Sequence, residues 1–219
     1  MKKQLSLLLL LTNLISLAQK DIILSFSSGT TFSNIRGNSI AEQNKYDFNY
    51  VGGIAIEKPI NDKFSFLIGL NYDNKSFKNE VDFDRLNLFN SFDPVFSNEK
   101  RKIKITLQYL SAPILFRYYI DKKKSLFINS GPYLGFFLNS TTKVEGDKIK
   151  DESNMLFKDL DFGWSFGIGK KVKLSEKSNI NIELRDNLGL INVSDVPVYG
   201  NGTVKLNSFN LLLGYEFKL

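Results

Sequence analysis

Asp161-Phe162-Gly163-Trp164-Ser165-Phe166-Gly167-Ile168-Gly169 is the stretch whose pattern decides the fold. Phe162, Trp164, Phe166 and Ile168 hold one parity, and Gly163, Ser165, Gly167 and Gly169 hold the other. Successive side chains of a β-strand point to opposite faces, so this segment presents one bulky apolar face and one small face. A helical period would place apolar residues three and four apart instead.

The same alternation recurs outward in both directions. Phe64, Phe66, Ile68, Leu70 and Tyr72 oppose Ser65, Leu67, Gly69, Asn71 and Asp73. Phe48, Tyr50, Ile54 and Ile56 oppose Asp47, Asn49, Gly53 and Glu57; Ile180, Ile182 and Leu184 oppose Asn181, Glu183 and Arg185. At the end of the chain, Phe209, Leu211, Leu213, Tyr215, Phe217 and Leu219 oppose Asn210, Gly214, Glu216 and Lys218. Eight strands are expected, over 22–33, 46–57, 64–74, 102–120, 125–139, 161–174, 179–190 and 204–219. Three connections are tight: Lys58-Pro59-Ile60-Asn61-Asp62, 121–124 and 175–178. Four are long: 34–45, 75–101, 140–160 and 191–203. Short turns at one end and long loops at the other are the pattern of outer-membrane barrels, whose turns lie in the periplasm. The expected fold is therefore all-β: an eight-stranded antiparallel up-and-down transmembrane β-barrel with short periplasmic turns and four longer outer loops.

Periodicity alone does not separate this from a soluble barrel; side-chain size does. An eight-stranded barrel has an interior just wide enough for side chains to fill it. The Gly, Ser and Asn set fits inside, whereas the Phe, Trp, Leu and Ile set would overfill it. The bulky face should look outward, where an apolar belt of that extent suits lipid and not water. Phe66, Ile68, Trp164, Phe166, Ile182 and Leu213 are accordingly expected to face lipid, and Glu57, Arg117, Glu183, Arg185, Glu216 and Lys218 to share the inward parity. In so narrow a space charges need partners, which favours a paired plug over a catalytic carboxylate pair or an ion path. Arg185 is expected to reach Glu216 or Glu57 across the lumen. The fourth strand breaks phase: Ile103, Ile105, Leu107 and Tyr109 hold one parity, and Leu110, Ala112, Ile114, Phe116 and Tyr118 the other. A bulge near Tyr109–Pro113 would explain the switch, since proline lacks an N–H and is tolerated best at bulges and edges.

The beginning of the chain reads differently. Lys2 and Lys3 precede an apolar run from Leu5 to Leu17, and Ser16-Leu17-Ala18 places small residues before a cut between Ala18 and Gln19. The expected organisation is a cleaved signal peptide over 1–18 and one barrel domain over 19–219.

A further likeness lies in Gln108-Tyr109-Leu110-Ser111-Ala112-Pro113-Ile114-Leu115-Phe116-Arg117-Tyr118-Tyr119. It resembles the characteristic Tyr-Leu…Pro…Tyr-Tyr strand of the PorT-like outer-membrane β-barrel family of Bacteroidota. Gly131-Pro132-Tyr133-Leu134-Gly135, the 161–169 strand and Leu213-Gly214-Tyr215-Glu216-Phe217 also fit that pattern. Ser111-Ala112 departs from the acidic-aliphatic pair common there. The resemblance implies fold and cell outer membrane location. It brings no activity with it, although the member that gives the family its name is linked to a secretion system.

Little in the composition points to chemistry. With no His and no Cys among 219 residues, the commonest general base, transition-metal ligand and thiol nucleophile are missing. No catalytic residue, metal site or cofactor is expected. Gly167-Ile168-Gly169-Lys170-Lys171 lacks the spacing of a phosphate loop and does not open a helix. The net charge of +6 is scattered in short runs such as Lys100-Arg101-Lys102 and Lys122-Lys123-Lys124, without the one-sided patch a nucleic-acid binder needs. The expected partners are outer-membrane lipid and envelope proteins reached through loops 75–101 and 140–160, the first of which carries Phe77, Phe83, Phe89, Phe92 and Phe96. Those rings could form a binding surface, but packing on each other or extending the neighbouring strands above the bilayer is the favoured reading. Three functional classes stay open: a structural or adhesive barrel without enzymatic activity, a subunit of an envelope or secretion assembly, and a narrow channel or small barrel enzyme.

Overall fold

A computed structural model describes residues 22–82, 100–144, 150–151 and 156–219. The proposed cut at Ala18–Gln19 and the rings Phe83, Phe89, Phe92 and Phe96 lie outside those residues. Long strands make up the wall: β1 (Ile23–Arg36), β2 (Lys45–Pro59), β3 (Phe64–Asp82), β4 (Lys100–Tyr119), β5 (Leu126–Val144), β7 (Leu160–Lys173), β8 (Ser178–Gly189) and β9 (Lys205–Lys218). A two-residue strand, β6 (Lys150–Asp151), pairs with β5 outside the ring. Each wall strand is antiparallel to its chain neighbour. β1 also pairs with β9, from Ile23 opposite Lys218 to Arg36 opposite Lys205, which closes the sheet into an eight-stranded up-and-down barrel. Closure leaves no open edge in the ring, as a hydrocarbon environment requires of a sheet.

The three tight turns gather at one end. Ile60 N–H donates to Phe64 O, Ile120 N–H to Leu126 O, and Leu174 N–H to Ser178 O, at 2.8, 2.9 and 3.0 Å. Asp121 fastens the β4–β5 turn by accepting from the amides of Ser125 and Leu126. These hydrogen bonds, that from Leu126 foremost, hold its carboxyl below the usual aspartate range.

The opposite end is taller than the sequence pattern suggests. β3, β4 and β5 run 19, 20 and 19 residues, well beyond the roughly 9–11 that a tilted membrane strand needs. Residues 75–82 and 140–144, expected in loops, continue the wall instead. Phe77 is buried there and not displayed on a loop. It packs with Ile35, Ala41, Leu107, Tyr109, Val193 and Leu206 into an apolar core that fills the loop end of the barrel.

The phase break in β4 has a different cause from the expected bulge. The β3–β4 register is unshifted from Phe64 opposite Tyr118 to Asp82 opposite Lys100. From Ile103 to Tyr119 the odd-numbered residues of β4 point inward; those from Ile103 to Tyr109 are apolar because they feed the core at the loop end. Leu110 to Tyr118 are apolar because they lie on the outer wall. The extra residue is on the partner strand: Gln108 pairs with Asn139 and Tyr109 with Phe137, leaving Leu138 over as the bulge. A second irregularity falls between Tyr46 and Val51 of β2. There the side chains of Asn49, Asn74 and Ser33 bond to Ser76 and to Tyr50 O, standing in for ladder bonds that the shift removes.

Along the outer wall, β9 carries Phe209, Leu211, Leu213, Tyr215 and Phe217, every one exposed. Eight steps of about 3.3 Å at a tilt near 40° project to roughly 20 Å, close to the ~25 Å apolar band of such barrels. Aromatic pairs mark both margins. Phe32 stacks on Tyr46 at 4.7 Å on the loop side, and Phe64 meets Tyr118 at 5.1 Å on the turn side.

Candidate functional site

The chemistry-bearing residues lie in the lumen, in two groups. Nearer the turns, Arg117 of β4 is 2% exposed and serves as the hub. Its Nη1 is 2.6 Å from Glu57 Oε2 of β2 and 3.2 Å from Glu216 Oε1 of β9, while Nη2 is 3.6 Å from Glu183 Oε2 of β8. Its Nε donates to Asn129 Oδ1 at 2.9 Å, and the guanidinium lies 4.0 Å from the Phe127 ring centre. The planar fork of an arginine suits this divergent set of acceptors better than a lysine would. Lys171 of β7 donates to Glu57 Oε2 at 3.0 Å and sits 2.8 Å from Glu216 Oε2, near enough to pair though off the angle of a hydrogen bond. Tyr119 donates to Glu57 as well. Arg185 bonds Glu183 of its own strand at 2.6 Å. Three carboxylates thus meet three cations, and burial is tolerated because each charge has an opposite neighbour.

Local sequence explains why these groups can meet. Gly167 faces Glu183, and a Cβ there would come within 2.7 Å of Glu183 Oε1; Gly169 leaves the space that the Phe127 ring occupies. Small residues on β7 therefore seat large ones from β5 and β8.

Nearer the loops, Lys75 of β3 is 1% exposed and 3.0 Å from Asp161 Oδ2 of β7. Its ammonium lies 5.1 and 4.9 Å from the ring centres of Tyr109 and Tyr133, within the range of cation–π attraction. Tyr133 donates to the same Asp161 oxygen at 3.0 Å. Asp73 is buried beside this group.

Between the two groups are voids of about 10 and 20 Å³, lined in common by Asn71, Pro113 and Arg185. Each is on the scale of a single water site. Above them lies the apolar core of the loop end.

Glu57, Arg117, Glu183, Arg185 and Glu216 are all buried in the lumen. Arg117, however, makes the bridge across it that was expected of Arg185, because Arg185 turns along its own strand to Glu183. Lys218 shares their parity but is exposed, since β9 ends there. Ile68, Trp164, Phe166, Ile182 and Leu213 are exposed on the outer wall, and Phe66 lies there half-buried, 5.4 Å from Phe116. Sequence reasoning missed Lys171, Asp161 and Lys75. Parity would have found the first two, which continue the Gly163-Ser165-Gly167-Gly169 face, and Lys75 continues that of Ser65 to Asp73. Gly167 to Lys171 lie within β7, so no phosphate loop forms. Among the described residues no group of His, Cys, Asp and Glu is arranged to hold a metal.

Solved structures of similar fold include OprG of Pseudomonas aeruginosa, at 14% identity and a TM-score of 0.47 over 91% of this chain and 96% of that one. The attachment invasion locus protein Ail of Yersinia pestis is similar at 12% and 0.42 over 91% and 100%, and the outer membrane protease OmpT of Escherichia coli at 9% and 0.44 over 91% and 97%. None of these likenesses brings a function with it. A comparison with curated proteins gives no match. The family model described as outer membrane protein beta-barrel domain matches residues 17–195. The chain belongs to that outer-membrane β-barrel family, and its place is the outer membrane.

Proposed function

We propose that the protein is a non-enzymatic, non-conducting outer-membrane barrel that acts through its loop end, with the three tight turns in the periplasm. The observation that carries this reading is the filled lumen. The ion-pair network around Arg117 spans the lumen from β2 to β9, and the two voids lined by Asn71, Pro113 and Arg185 are only about 10 and 20 Å³. Glu57 and Glu216 are 1% exposed and occupied by Arg117 and Lys171, which argues against their serving as an acid–base pair. The exposed apolar wall, including Ile68, Trp164, Phe166, Ile182 and Leu213, is then the surface that meets lipid.

A PorT-like kinship belongs to the same proposal. The Gln108–Tyr119 motif supplies Arg117 and Tyr119 to the network and Tyr109 to the group around Lys75. Envelope proteins are the proposed partners of the loop end, where β3, β4 and β5 raise the wall. Refolded protein in planar bilayers tests the reading. It should give no conductance steps at neutral pH, and reproducible ion-selective steps would overturn it in favour of a channel.

A further inference from the structure

Among the described residues the turn end carries an excess of exposed lysines over carboxylates. The β2–β3 turn exposes Lys58 and Lys63 with Asp62, and the β4–β5 turn exposes Lys122 and Lys123 beside Asp121. Around the β7–β8 turn, Lys170, Lys173 and Lys177 are exposed with Glu176. Asp121 is already engaged by two backbone amides of its own turn. Pairing occurs at both ends: Lys124 of the β4–β5 turn lies 3.6 Å from Asp62, as at the loop end Lys45 lies 2.8 Å from Glu80 and Lys104 2.5 Å from Asp47. What marks the turn end is that its exposed lysines outnumber its carboxylates.

Apolar side chains stand among these turn lysines. Ile60, Ile120 and Leu174 are 59%, 53% and 54% exposed. Lys170 continues the outward file of Phe162 to Ile168 directly, so the basic rim abuts the apolar wall. An acidic macromolecule in water would answer the lysines but leave the exposed isoleucines and leucine wet. A lipid interface answers both: lysine stems lie along apolar surface while their ammonium groups reach outward, and apolar tips sink to the acyl boundary.

We infer that this rim is a docking surface for anionic phospholipid headgroups, seating the turns within the headgroup layer of the periplasmic leaflet. The leaflet assignment rests on the orientation proposed above; the preference for anionic lipid rests on the rim alone. Each lysine near an anionic surface adds attraction, and salt screens it.

The test is the composition of the boundary lipid around protein refolded into vesicles of equal phosphatidylcholine and phosphatidylglycerol, read with spin-labelled lipids. Phosphatidylglycerol should be enriched about threefold at low salt, falling to about onefold at 1 M salt, where the screening length is ~3 Å. The combined Lys122→Gln, Lys123→Gln, Lys170→Gln and Lys177→Gln variant should also fall to about onefold. A loop-end control, Lys45→Gln with Lys143→Gln, should keep the enrichment. The heat-dependent gel shift of folded barrels establishes that every variant has folded. No enrichment in the wild-type protein, or equal loss in the control, overturns the inference. Capture of soluble polyglutamate by protein in pure phosphatidylcholine vesicles, without enrichment, also overturns it and points to an acidic partner in water. Failure of the orientation is read separately, by protease cleavage at Lys122–Lys124 on intact cells.

Discussion

Replacing Arg117 with Met keeps most of the side-chain volume and removes the hub of the lumen. The guanidinium touches Glu57 at 2.6 Å, Glu216 at 3.2 Å and Glu183 at 3.6 Å, and all four residues are at most 3% exposed. The balance of three carboxylates and three cations becomes three against two. Breaking a buried pair costs about 3–5 kcal/mol when a charge is stranded. Lys171 remains on Glu57 and Glu216, and Arg185 on Glu183, which places the expected loss near the lower end, at about 3 kcal/mol. Arg117→Lys retains the charge but not the fork, and should lose about half as much. Glu57→Gln strands positive charge in turn; combined with Arg117→Met it restores balance, so the double variant should be less destabilised than the sum of the singles by about 1–3 kcal/mol. The assay is urea-dependent folding into liposomes, followed by gel mobility and by Trp164 emission. A loss below about 0.5 kcal/mol for Arg117→Met, or strict additivity with Glu57→Gln, would refute the paired-plug account.

Other outcomes follow from the wall and the turns. Phe166→Arg, on the exposed face, should cost about 2–4 kcal/mol in liposome folding titrations. Ser165→Phe, on the buried face where Ser165 donates to Asn187 Oδ1 at 2.6 Å, should fail by overpacking; tolerance of Ser165→Phe with no loss for Phe166→Arg would reverse the sidedness. Gly169→Val, forced against the Phe127 ring, should cost about 1–3 kcal/mol, and Phe127→Leu should relieve part of it in the double variant. Asp121 has a depressed pKa in the folded state, so its stabilisation of the β4–β5 turn is present above the ordinary aspartate range and is lost as pH falls through the folded value. The stability difference between wild type and Asp121→Asn should therefore shrink on acidification, and a difference that grows would contradict the hydrogen-bonded turn.

The eight wall strands, the three tight turns and the inward and outward parities were legible because turn residues and a period of two are local information. The Gly163-Ser165-Gly167-Gly169 face announces a crowded interior whatever its neighbours are. Pairing across the lumen was not legible. Arg117 reaches three carboxylates because register and tilt bring β2, β8 and β9 to its level, and no short stretch of sequence encodes that. The loop end was obscured for another reason. Phe77, Leu107 and Leu206 are apolar inward residues of a capped barrel, and they break the apolar-out rule that identifies the membrane portion. The same rule turned an uninterrupted β4 into an apparent bulge, while the actual one formed at Leu138 on β5.

In the proposed arrangement the bulky face looks into lipid and the polar face into a closed lumen. Trp164 reports on it without any substitution, being the one tryptophan of the sequence. It is exposed on the outer wall of β7, with Nε1 donating to Ser130 Oγ at 3.0 Å. Quenching of its fluorescence by phospholipids brominated along the acyl chain is the most direct measurement. Strong quenching by the brominated lipid, with a blue-shifted emission and little effect of aqueous iodide, is the predicted result. Ready quenching by iodide with indifference to the brominated lipid would contradict the account.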